Sequence, residues 1–303
     1  MDKTAAVVVT YNRRNLLEEN LKALISQEGC NLDIIVVDNA SSDGSGSMVK
    51  AIAEDCNNIH YYNTGKNLGG AGGFNKGIKI AAENNTYKYV WVMDDDCIPR
   101  SDALKNLINA AKALGDDFGF LSSKALWKDG SICTMNIPRE SMYKNLQNYS
   151  HDLQRVEMAS FVSLFLKRET IIQEGLPIKD FFIWTDDWEY TRRISRNKPC
   201  YWVKNSVVMH KSVSNIGANI YSDSSERIDR YFYLYRNDVY LYRREGIKGL
   251  MYEAARLTWH LIKVLLSPCE QKGKRVKKIF EGTLAGLSFY PPIEYIIEAG
   301  EGK

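Results

Sequence analysis

The sequence lacks an excess of charge of either sign. Among its 303 residues, 40 are Lys or Arg and 37 are Asp or Glu, which gives a formal net charge of +3. Proteins that bind nucleic acid through its phosphates usually carry a clear basic excess, so nucleic acid is not an expected partner. With 45% hydrophobic and 25% charged residues the composition is that of a globular chain, which excludes a disordered chain, collagen and a coiled-coil rod.

Paired cysteines and long apolar runs are also absent. The six cysteines stand singly, with no C-x-x-C pair, which favours a reducing compartment. The apolar run at residues 5–9 is too short for the core of a signal peptide. No run reaches the roughly 18 apolar residues of a membrane-spanning helix. We therefore expect a cytoplasmic protein without a spanning segment.

Strand-like and helix-like patterns alternate in the first third of the chain. The strand-like runs are rich in branched and aromatic residues and lie at 5–10, 32–38, 59–62 and 87–93. Apolar residues recur at helical spacing at 16–27, 48–55 and 74–83, and the glycine-rich residues 65–73 are predicted to be a loop. This alternation favours a mostly parallel α/β sheet with its ligand at the carboxyl ends of the strands.

The pattern loosens after Ser101 and changes again near residues 215–224. The remaining predictions are a helix at 99–114, a strand at 158–166, a charged helix start within 180–193 and a strand at 201–209. From about Ser224 onward, Tyr, Arg and Leu recur at helical spacing, which predicts a helical C-terminal region.

Three aspartates directly follow the apolar residues 90–93. In an extended segment Asp94 and Asp96 project to the same side, which suits a divalent cation bound through oxygen. His210, after the strand at 201–209, could complete such a site. The alternatives are a solvated acidic turn and a structural histidine. The other histidines have no acidic neighbours at ligand spacing and are expected to be structural: His60, His151 and His260.

A second acidic cluster lies among bulky aromatic residues at 184–190. An aromatic surround limits water and can raise the pKa of a carboxylate toward that of a general base. The alternative is a helix N-terminus that Thr185 caps and whose dipole favours Asp186, Asp187 and Glu189. The two interpretations are compatible, because a helix start is also a rigid mount for a catalytic group.

The glycines at 69–73 do not form a dinucleotide fingerprint. Reading G-x-G-x-x-G from Gly70 puts Asn75 where the last glycine belongs, and no strand directly precedes the motif. The sequence also contains no P-loop and no G-x-S-x-G nucleophile elbow. The small residues instead favour close approach of the backbone to a ligand at the start of the next helix.

Five motifs in order resemble those of the family 2 inverting glycosyltransferases with the GT-A fold. They are V-V-V-T-Y-N-R, I-I-V-V-D-N-A-S-S-D-G-S, N-L-G-G-A-G-G-F-N-K-G, W-V-M-D-D-D and W-T-D-D-W-E-Y, within residues 5–215. The resemblance implies an α/β, Rossmann-like nucleotide-diphospho-sugar transferase fold, with a mostly parallel sheet flanked by helices. It implies a catalytic domain at 1–218, with a nucleotide-sugar half at 1–97 and an acceptor half at 98–218. A helical region at 219–303 would follow.

The resemblance also implies roles for individual residues. Asp94, Asp96 and His210 would hold Mn2+ or Mg2+, Asp187 would be the catalytic base, and Asp186 and Glu189 would position the acceptor or the base. The residues implied to bind the nucleotide sugar are Thr10, Tyr11, Asn12, Arg13, Asp38, Asn67, Gly70, Asp94 and Asp95.

Within the family, the motifs are most similar to bacterial galactofuranosyltransferases, which use UDP-galactofuranose, and next to rhamnosyltransferases, which use dTDP-rhamnose. The chain departs from the W-D-D form at Thr185, with Trp184 one position earlier. The implied acceptor is a glycan or lipid-linked saccharide of a bacterial surface polysaccharide. The basic, Tyr-rich C-terminal region would suit peripheral contact with the inner face of the plasma membrane, a packed helical hairpin or a homo-oligomer interface. An alternative of another class is a non-catalytic nucleotide- or glycan-binding module.

Overall fold

A computed structural model describes residues 2–297 of the chain. Met1 lies outside the described residues, and so do residues 298–303, which end the predicted C-terminal region. The strands are β1 (Lys3–Thr10), β2 (Asn31–Asp38), β3 (Ile59–Asn63), β4 (Tyr87–Asp94), β5 (Cys97–Pro99), β6 (Phe120–Trp127), β7 (Arg139–Ser141), β8 (Lys144–Asn145), β9 (Leu153–Arg155), β10 (Leu164–Lys167) and β11 (Tyr201–His210). Within the described part, nine strands form one sheet in the order β3-β2-β1-β4-β10-β6-β11-β5, with β9 paired to β11. The short strands β7 and β8 pair separately.

Helices cover both faces of this sheet, and a set of helices follows it. They are α1 (Arg14–Ile25), α2 (Ser45–Asp55), α3 (Gly69–Glu83), α4 (Ala103–Ala113), α5 (Arg168–Glu174), α6 (Asp186–Ser195), α7 (Tyr231–Arg243), α8 (Gly246–Leu266) and α9 (Lys272–Leu287). The four strands and three helices predicted in the first third of the chain are all present, which confirms the α/β prediction.

The first half of the sheet is parallel, and its strands β1, β2 and β4 are buried on both faces, as strands linked by crossover helices usually are. β1 pairs in parallel with β2 and β4, and β2 pairs in parallel with β3. Alternate residues of β1 pack in two separate cores, with Leu17 of α1 in one and Phe74 of α3 in the other. The register places Thr10 opposite Asp38 and Val9 opposite Asp94, so the polar strand ends meet at one edge.

The predicted glycine loop is wrong over its second half. Helix α3 begins at Gly69 and includes all the glycines of the G-G-A-G-G motif. The reason is packing, because a Cβ atom on Gly73 would lie 2.5 Å from Cγ1 of Val9, and one on Gly77 would overlap Val7. These glycines let the helix lie directly on β1.

Two boundaries in the second half of the chain differ from prediction. The helix predicted from residue 99 begins at Ala103, because residues 97–99 form β5 and pair with β11. This pairing places Cys97 opposite His210. The strand predicted at 158–166 is shortened to Leu164–Lys167, because a 3-10 turn at Phe161–Ser163 precedes it. β10 runs antiparallel between β4 and β6.

After β11, residues 211–224 form a loop, and a 3-10 helix (Ser225–Arg230) and helices α7, α8 and α9 then make up most of the chain to Leu287. Tyr231 and Tyr235 of α7, Val264 of α8 and Ile279 of α9 form a small core between these helices. No helix in residues 2–297 is long and apolar enough to cross a membrane. The division of the chain at residue 218 stays a prediction.

Candidate active site

The end of β4 and the end of β11 bring together the three residues predicted as metal ligands. The ligand atoms of Asp94, Asp96 and His210 lie within 4.8 Å of one another. Nε2 of His210 lies 3.1 Å from Oδ1 of Asp96. On its other side, Nδ1 of His210 lies 2.7 Å from Oδ1 of Asn136, whose amide nitrogen donates to Ser160. Asn136 therefore fixes the ring so that Nε2 points toward the aspartates.

The chemistry of this cluster fits a divalent cation. Oδ1 of Asp96 is buried and has no hydrogen-bond partner among the described residues, and the His210 ring lies 3.1 Å from it. A carboxylate oxygen buried in this way is costly unless a positive charge lies beside it, which either a cation or the protonated imidazole supplies. Two carboxylates and one imidazole nitrogen form a donor set that Mn2+ accepts readily and that Mg2+ can share.

The electrostatics of the cluster show an excess of carboxylates. Burial and the charge of Asp96 raise the pKa of Asp94 to about 7. Burial also raises the pKa of Asp95 to about 6, against the opposing charge of Arg13. Burial alone would lower the pKa of His210, but contact with Asp96 raises it to about 10. Without a metal the imidazole is therefore protonated, and that proton supplies part of the missing positive charge.

Arg13 and Thr10 hold the middle of the aspartate cluster. Nη1 of Arg13 lies 2.6 Å from Oδ2 of Asp96 and 3.3 Å from Oδ1 of Asp95. The Thr10 hydroxyl donates to the other oxygen of Asp95 at 2.7 Å. The side chain of Arg13 is still 48% exposed, so part of its guanidinium group faces solvent beside the cluster.

Three other residues predicted to bind the nucleotide lie at the same sheet edge, Asp38 at the end of β2 and Tyr11 and Asn12 on the loop after β1. The buried Asp38 accepts a hydrogen bond of 2.6 Å from the Tyr61 hydroxyl. Oδ1 of Asn12 accepts from the backbone N–H of Ser42, which ties the loop after β1 to the loop after β2. Tyr11 is 45% exposed between them. This edge therefore presents an exposed aromatic ring beside polar loops that are hydrogen-bonded to each other.

Asn67 and Gly70, both predicted to bind the nucleotide sugar, line different pockets. Gly70 lines a cavity of about 590 Å3 together with Asp94 and His210. Asn67 instead lines a neighbouring pocket, and its side-chain oxygen accepts from the backbone N–H of Gly69 at 2.8 Å. Asn67 thus shapes the start of α3 from outside the cavity.

The same cavity joins the two acidic clusters. Asp186 and Asp187, at the start of α6, line it together with Asp94 and His210. The charge of Asp94 contributes to the raised pKa of Asp186, so the two clusters are close enough to interact. The aromatic side chains that line the cavity are Phe74, Phe161, Trp184, Trp188, Tyr242 and Tyr252.

Burial tunes the two carboxylates of the second cluster. It raises the pKa of Asp186 well above its usual range, and the neighbouring Asp187 adds to the shift. It raises the pKa of Asp187 to about 6, although the backbone N–H of Trp188 donates to Oδ1 of Asp187 at 2.7 Å. A carboxylate with a pKa near 6 is ionised at neutral pH and still basic enough to accept a proton.

Two features at the start of α6 differ from the prediction: the role of the Thr185 side chain and the position of Glu189. The helix begins at Asp186 as predicted, but Thr185 does not cap it. Its hydroxyl donates instead to Oδ1 of Asp238 at 2.6 Å. Both oxygens of the buried Glu189 accept hydrogen bonds from Arg193, at 3.1 and 3.0 Å, and Glu189 is not among the residues that line the cavity.

Sequence reasoning missed a hydrogen-bonded support behind the second cluster. The loop before α6 has three non-glycine residues with φ between 64° and 69°: Phe182, Trp184 and Thr185. Nδ2 of Asn237, on α7, donates to the backbone carbonyls of Phe181, Ile183 and Trp184 at 3.0–3.1 Å. The signal in the sequence was R-N-D at 236–238, a polar triplet in a helix that is otherwise rich in Tyr and Leu.

The wall of the cavity opposite the sheet also comes from the C-terminal helices. Asp238, Arg256 and His260 line it. Arg256 lies 2.7 Å from Asp238 and 2.7 Å from Glu253, so its charge is paired on two sides. His260, expected to be structural, accepts or donates a 2.9 Å hydrogen bond with Tyr235, and burial lowers its pKa to about 4.

A parallel sheet edge with an Asp-x-Asp pair and a second acidic cluster across a cavity is the arrangement of the GT-A glycosyltransferases. The mannosyltransferase PcManGT from Pyrobaculum calidifontis, in complex with GDP-Man and Mn2+, has this fold with a TM-score of 0.58 at 17% identity. The match covers 94% of this chain and 87% of that chain. GalNAc-T7 with UDP, GalNAc and Mn2+ also has a TM-score of 0.58, at 14% identity, over 82% and 52% of the two chains.

Sequence comparison gives the family. Residues 5–147 match the family described as Glycosyl transferase family 2. The chain is 24% identical over 281 residues to galactofuranosyltransferase GlfT1 of Mycolicibacterium smegmatis, over 85% of this chain and 89% of that protein. It is 35% identical over 112 residues to the GalNAc(5)-diNAcBac-PP-undecaprenol beta-1,3-glucosyltransferase of Campylobacter jejuni, over 37% of this chain and 35% of that protein. Residues 5–147 are therefore a Glycosyl transferase family 2 domain, and the chain has the GT-A fold of the solved structures above. The non-catalytic alternative is set aside, because the relatives are glycosyltransferases.

Proposed function

We propose that this enzyme transfers galactofuranose from UDP-galactofuranose, with inversion, to a lipid-linked acceptor in the synthesis of a bacterial surface polysaccharide. Similarity to the Mycolicibacterium galactofuranosyltransferase along nearly its whole length supports the donor. The name of the Campylobacter relative, which acts on an undecaprenol-linked saccharide, supports a lipid-linked acceptor.

The observation that carries this proposal is that one cavity is lined by residues of both acidic clusters, Asp94 and His210 from the first and Asp186 and Asp187 from the second. Inverting transfer needs one group to take a proton from the acceptor hydroxyl and another to stabilise the departing nucleotide diphosphate. Asp187 and Asp94 both line this cavity, together with several aromatic side chains. A single cavity of about 590 Å3 therefore offers groups for both functions.

Asp187 is the proposed base. The backbone N–H of Trp188 donates to Oδ1 and orients the carboxylate, which is proposed to take the proton from the acceptor hydroxyl. Asp186 is proposed to hold the acceptor beside it. Glu189 is proposed to act only indirectly, because it pairs with Arg193 of the same helix, which in turn donates to the carbonyls of Glu174 and Leu176 and so anchors α6.

The first cluster is proposed to hold the donor. Asp94, Asp96 and His210 would ligate Mn2+ or Mg2+, which when bound acts as a Lewis acid toward the departing diphosphate. Arg13 adds a positive charge beside them and can contact a phosphate. The other residues proposed to bind the nucleotide sugar are Thr10, Tyr11, Asn12, Asp38, Asn67, Gly70 and Asp95.

The proposed division of labour follows the sequence boundaries. Residues 1–97 would bind the nucleotide sugar and residues 98–218 the acceptor. Residues 219–303 would provide the contact with a membrane or a second copy. The lining of the cavity by Asp238 and Arg256 supports a further role for this last region in shaping the acceptor site.

A thermal-shift comparison of UDP, dTDP and GDP in the presence of Mn2+ tests the donor. Ligand binding to the folded state raises the unfolding midpoint by mass action. We expect stabilisation by UDP, and loss of it in Asp96→Ala with Mn2+ still present. Stabilisation by dTDP alone would favour rhamnosyl transfer, and no response to any nucleotide would contradict the proposal.

A further inference from the structure

Helix α8 turns an ion pair inward and large apolar side chains outward, unlike an ordinary surface helix. Two of its four charged residues, Glu253 and Arg256, face inward, with Glu253 only 4% exposed and Arg256 lining the cavity. Its large apolar residues point outward and form what we call the outer face of α8: Ile247, Leu250, Met251, Trp259, Ile262, Leu265 and Leu266. All seven are at least 42% exposed, and Leu266 is 80% exposed. Side chains of this kind are normally covered by a partner.

We propose that the outer face of α8 lies flat on an anionic membrane surface. At 1.5 Å per residue, its 21 residues form a rod of about 31 Å. A helix with an apolar face of this length and flanking basic residues is suited to the interface between lipid headgroups and acyl chains. The choice of a membrane rests on the lipid-linked acceptor proposed above.

The charge distribution around the outer face favours anionic lipid. Residues 246–287 contain eight Lys or Arg and three Glu. Lys248 is exposed at the start of α8, and Nζ of Lys263 lies 4.6 Å from the ring of Trp259 near its end. Lys272 lies beyond it and donates to the carbonyl of Leu265. Basic groups therefore stand at both ends of the apolar face, where anionic headgroups would meet them.

The same charges disfavour a second copy as the occupant. A two-fold dimer that packs the outer faces antiparallel would bring Lys248 of one chain toward Lys263 and Lys272 of the other. A dimer that packs the two outer faces in parallel would bring each lysine toward the same lysine of the other chain. No acidic residue of α8 is exposed to compensate, because its one carboxylate, Glu253, is buried.

Docking in this orientation would place the active site at the lipid surface. The inward side of α8, through Arg256 and His260, is a wall of the catalytic cavity. One helix thickness, roughly 10 Å, would then separate the bilayer from the cavity. A saccharide attached to a membrane lipid could reach the cavity while its lipid stays in the bilayer.

Vesicle co-sedimentation of the full-length protein tests the proposal without any sugar substrate. We expect binding to phosphatidylcholine vesicles that contain phosphatidylglycerol, and weaker binding to phosphatidylcholine alone. In the double variant Leu250→Gln/Met251→Gln we expect binding to fall by about tenfold or more, since each large apolar side chain contributes roughly that factor when buried. A second variant, Leu265→Gln/Leu266→Gln, repeats the test at the other end of the face.

A matched control distinguishes binding through the outer face of α8 from nonspecific binding of other exposed apolar residues to lipid. Val213→Gln/Ile216→Gln replaces two equally exposed apolar residues outside α8, 93% and 68% exposed, and should bind vesicles as the wild type does. Equal binding by the α8 variants, or no binding of the wild type to anionic vesicles, would overturn the proposal. A wild-type dimer in light scattering that the α8 variants convert to a monomer would also overturn it, because a second copy would then cover the face. Vesicle binding does not depend on the donor, so a failed UDP result would leave this test intact.

Discussion

Replacing Asn237 by alanine should disconnect the loop before α6 from its support. Asn237 is fully buried on α7, and its amide donates to three carbonyls of the loop that leads into α6. Its oxygen accepts from Nε of Arg236 at 3.0 Å, which fixes the orientation of the amide. Asp186 and Asp187 begin immediately after this loop, so its shape sets their positions.

The size of the effect follows from the lost hydrogen bonds and the backbone they hold. The amide group of Asn237 has only two N–H hydrogens to share among the three carbonyls, so the substitution removes the equivalent of two hydrogen bonds. Each buried carbonyl left without a donor costs about 1–3 kcal/mol. The loss is therefore about 2–6 kcal/mol, a large part of the roughly 5–15 kcal/mol that stabilises a folded protein. Non-glycine residues with positive φ cost about 1–3 kcal/mol each. Phe182, Trp184 and Thr185 would relax once the amide is gone.

Differential scanning fluorimetry and transfer kinetics measure the two consequences. We expect Asn237→Ala to lower Tm by about 5 °C or more and to lower kcat by at least about 100-fold, because a base displaced by about 1 Å loses that factor. UDP binding should persist, since the first cluster is on other elements. Asn106→Ala, which removes a single exposed hydrogen bond to the carbonyl of Asn205, is the matched control and should change neither quantity. Unchanged kcat in Asn237→Ala would refute the reasoning.

Three further predictions concern titration and burial. If Asp187 is the base, the transfer rate should rise with pH through an apparent pKa near 6 and then level off, and Asp187→Asn should abolish transfer while leaving UDP binding intact. Burial lowers the pKa of His260 to about 4, against about 6.5 in the unfolded chain. The neutral ring therefore contributes its full stability above pH 6.5, and this contribution is lost as the pH falls toward 4. In His260→Gln, the free energy of unfolding should fall less steeply with decreasing pH over this range. Arg193→Met should destabilise the fold by about 3–5 kcal/mol in urea unfolding, because it leaves the buried charge of Glu189 unpaired, and adding Glu189→Gln should restore part of the loss.

The first half of the fold was predictable because burial on both faces leaves an unambiguous pattern. The parallel strands β1, β2 and β4 are continuous apolar runs, and each ends at the polar residues that face the ligand edge. The G-G-A-G-G motif was misread because glycine in a helix is normally unfavourable. Here the close approach of α3 to Val9 makes glycine necessary at Gly73, and tertiary packing overrides local preference.

The candidate site was predictable as two clusters but not as a complete wall. Asp94, Asp96 and His210 could be predicted because each follows an apolar, strand-like run in the sequence. Their convergence depends on the three-residue strand β5, which is too short to show in a periodicity. Asp238 was missed because its role depends on a contact with Thr185, 53 residues away, that no local pattern records.

The most direct test of the central claim is the release of nucleotide from a sugar donor in the presence of Mn2+ and a bacterial extract of lipid-linked saccharides. UDP-galactofuranose and dTDP-rhamnose should be compared for the wild type and for Asp187→Asn. The account predicts acceptor-dependent release of UDP by the wild type and none above background by the variant. Release of dTDP in place of UDP would contradict the proposed donor, and equal release of UDP by Asp187→Asn would contradict the proposed base.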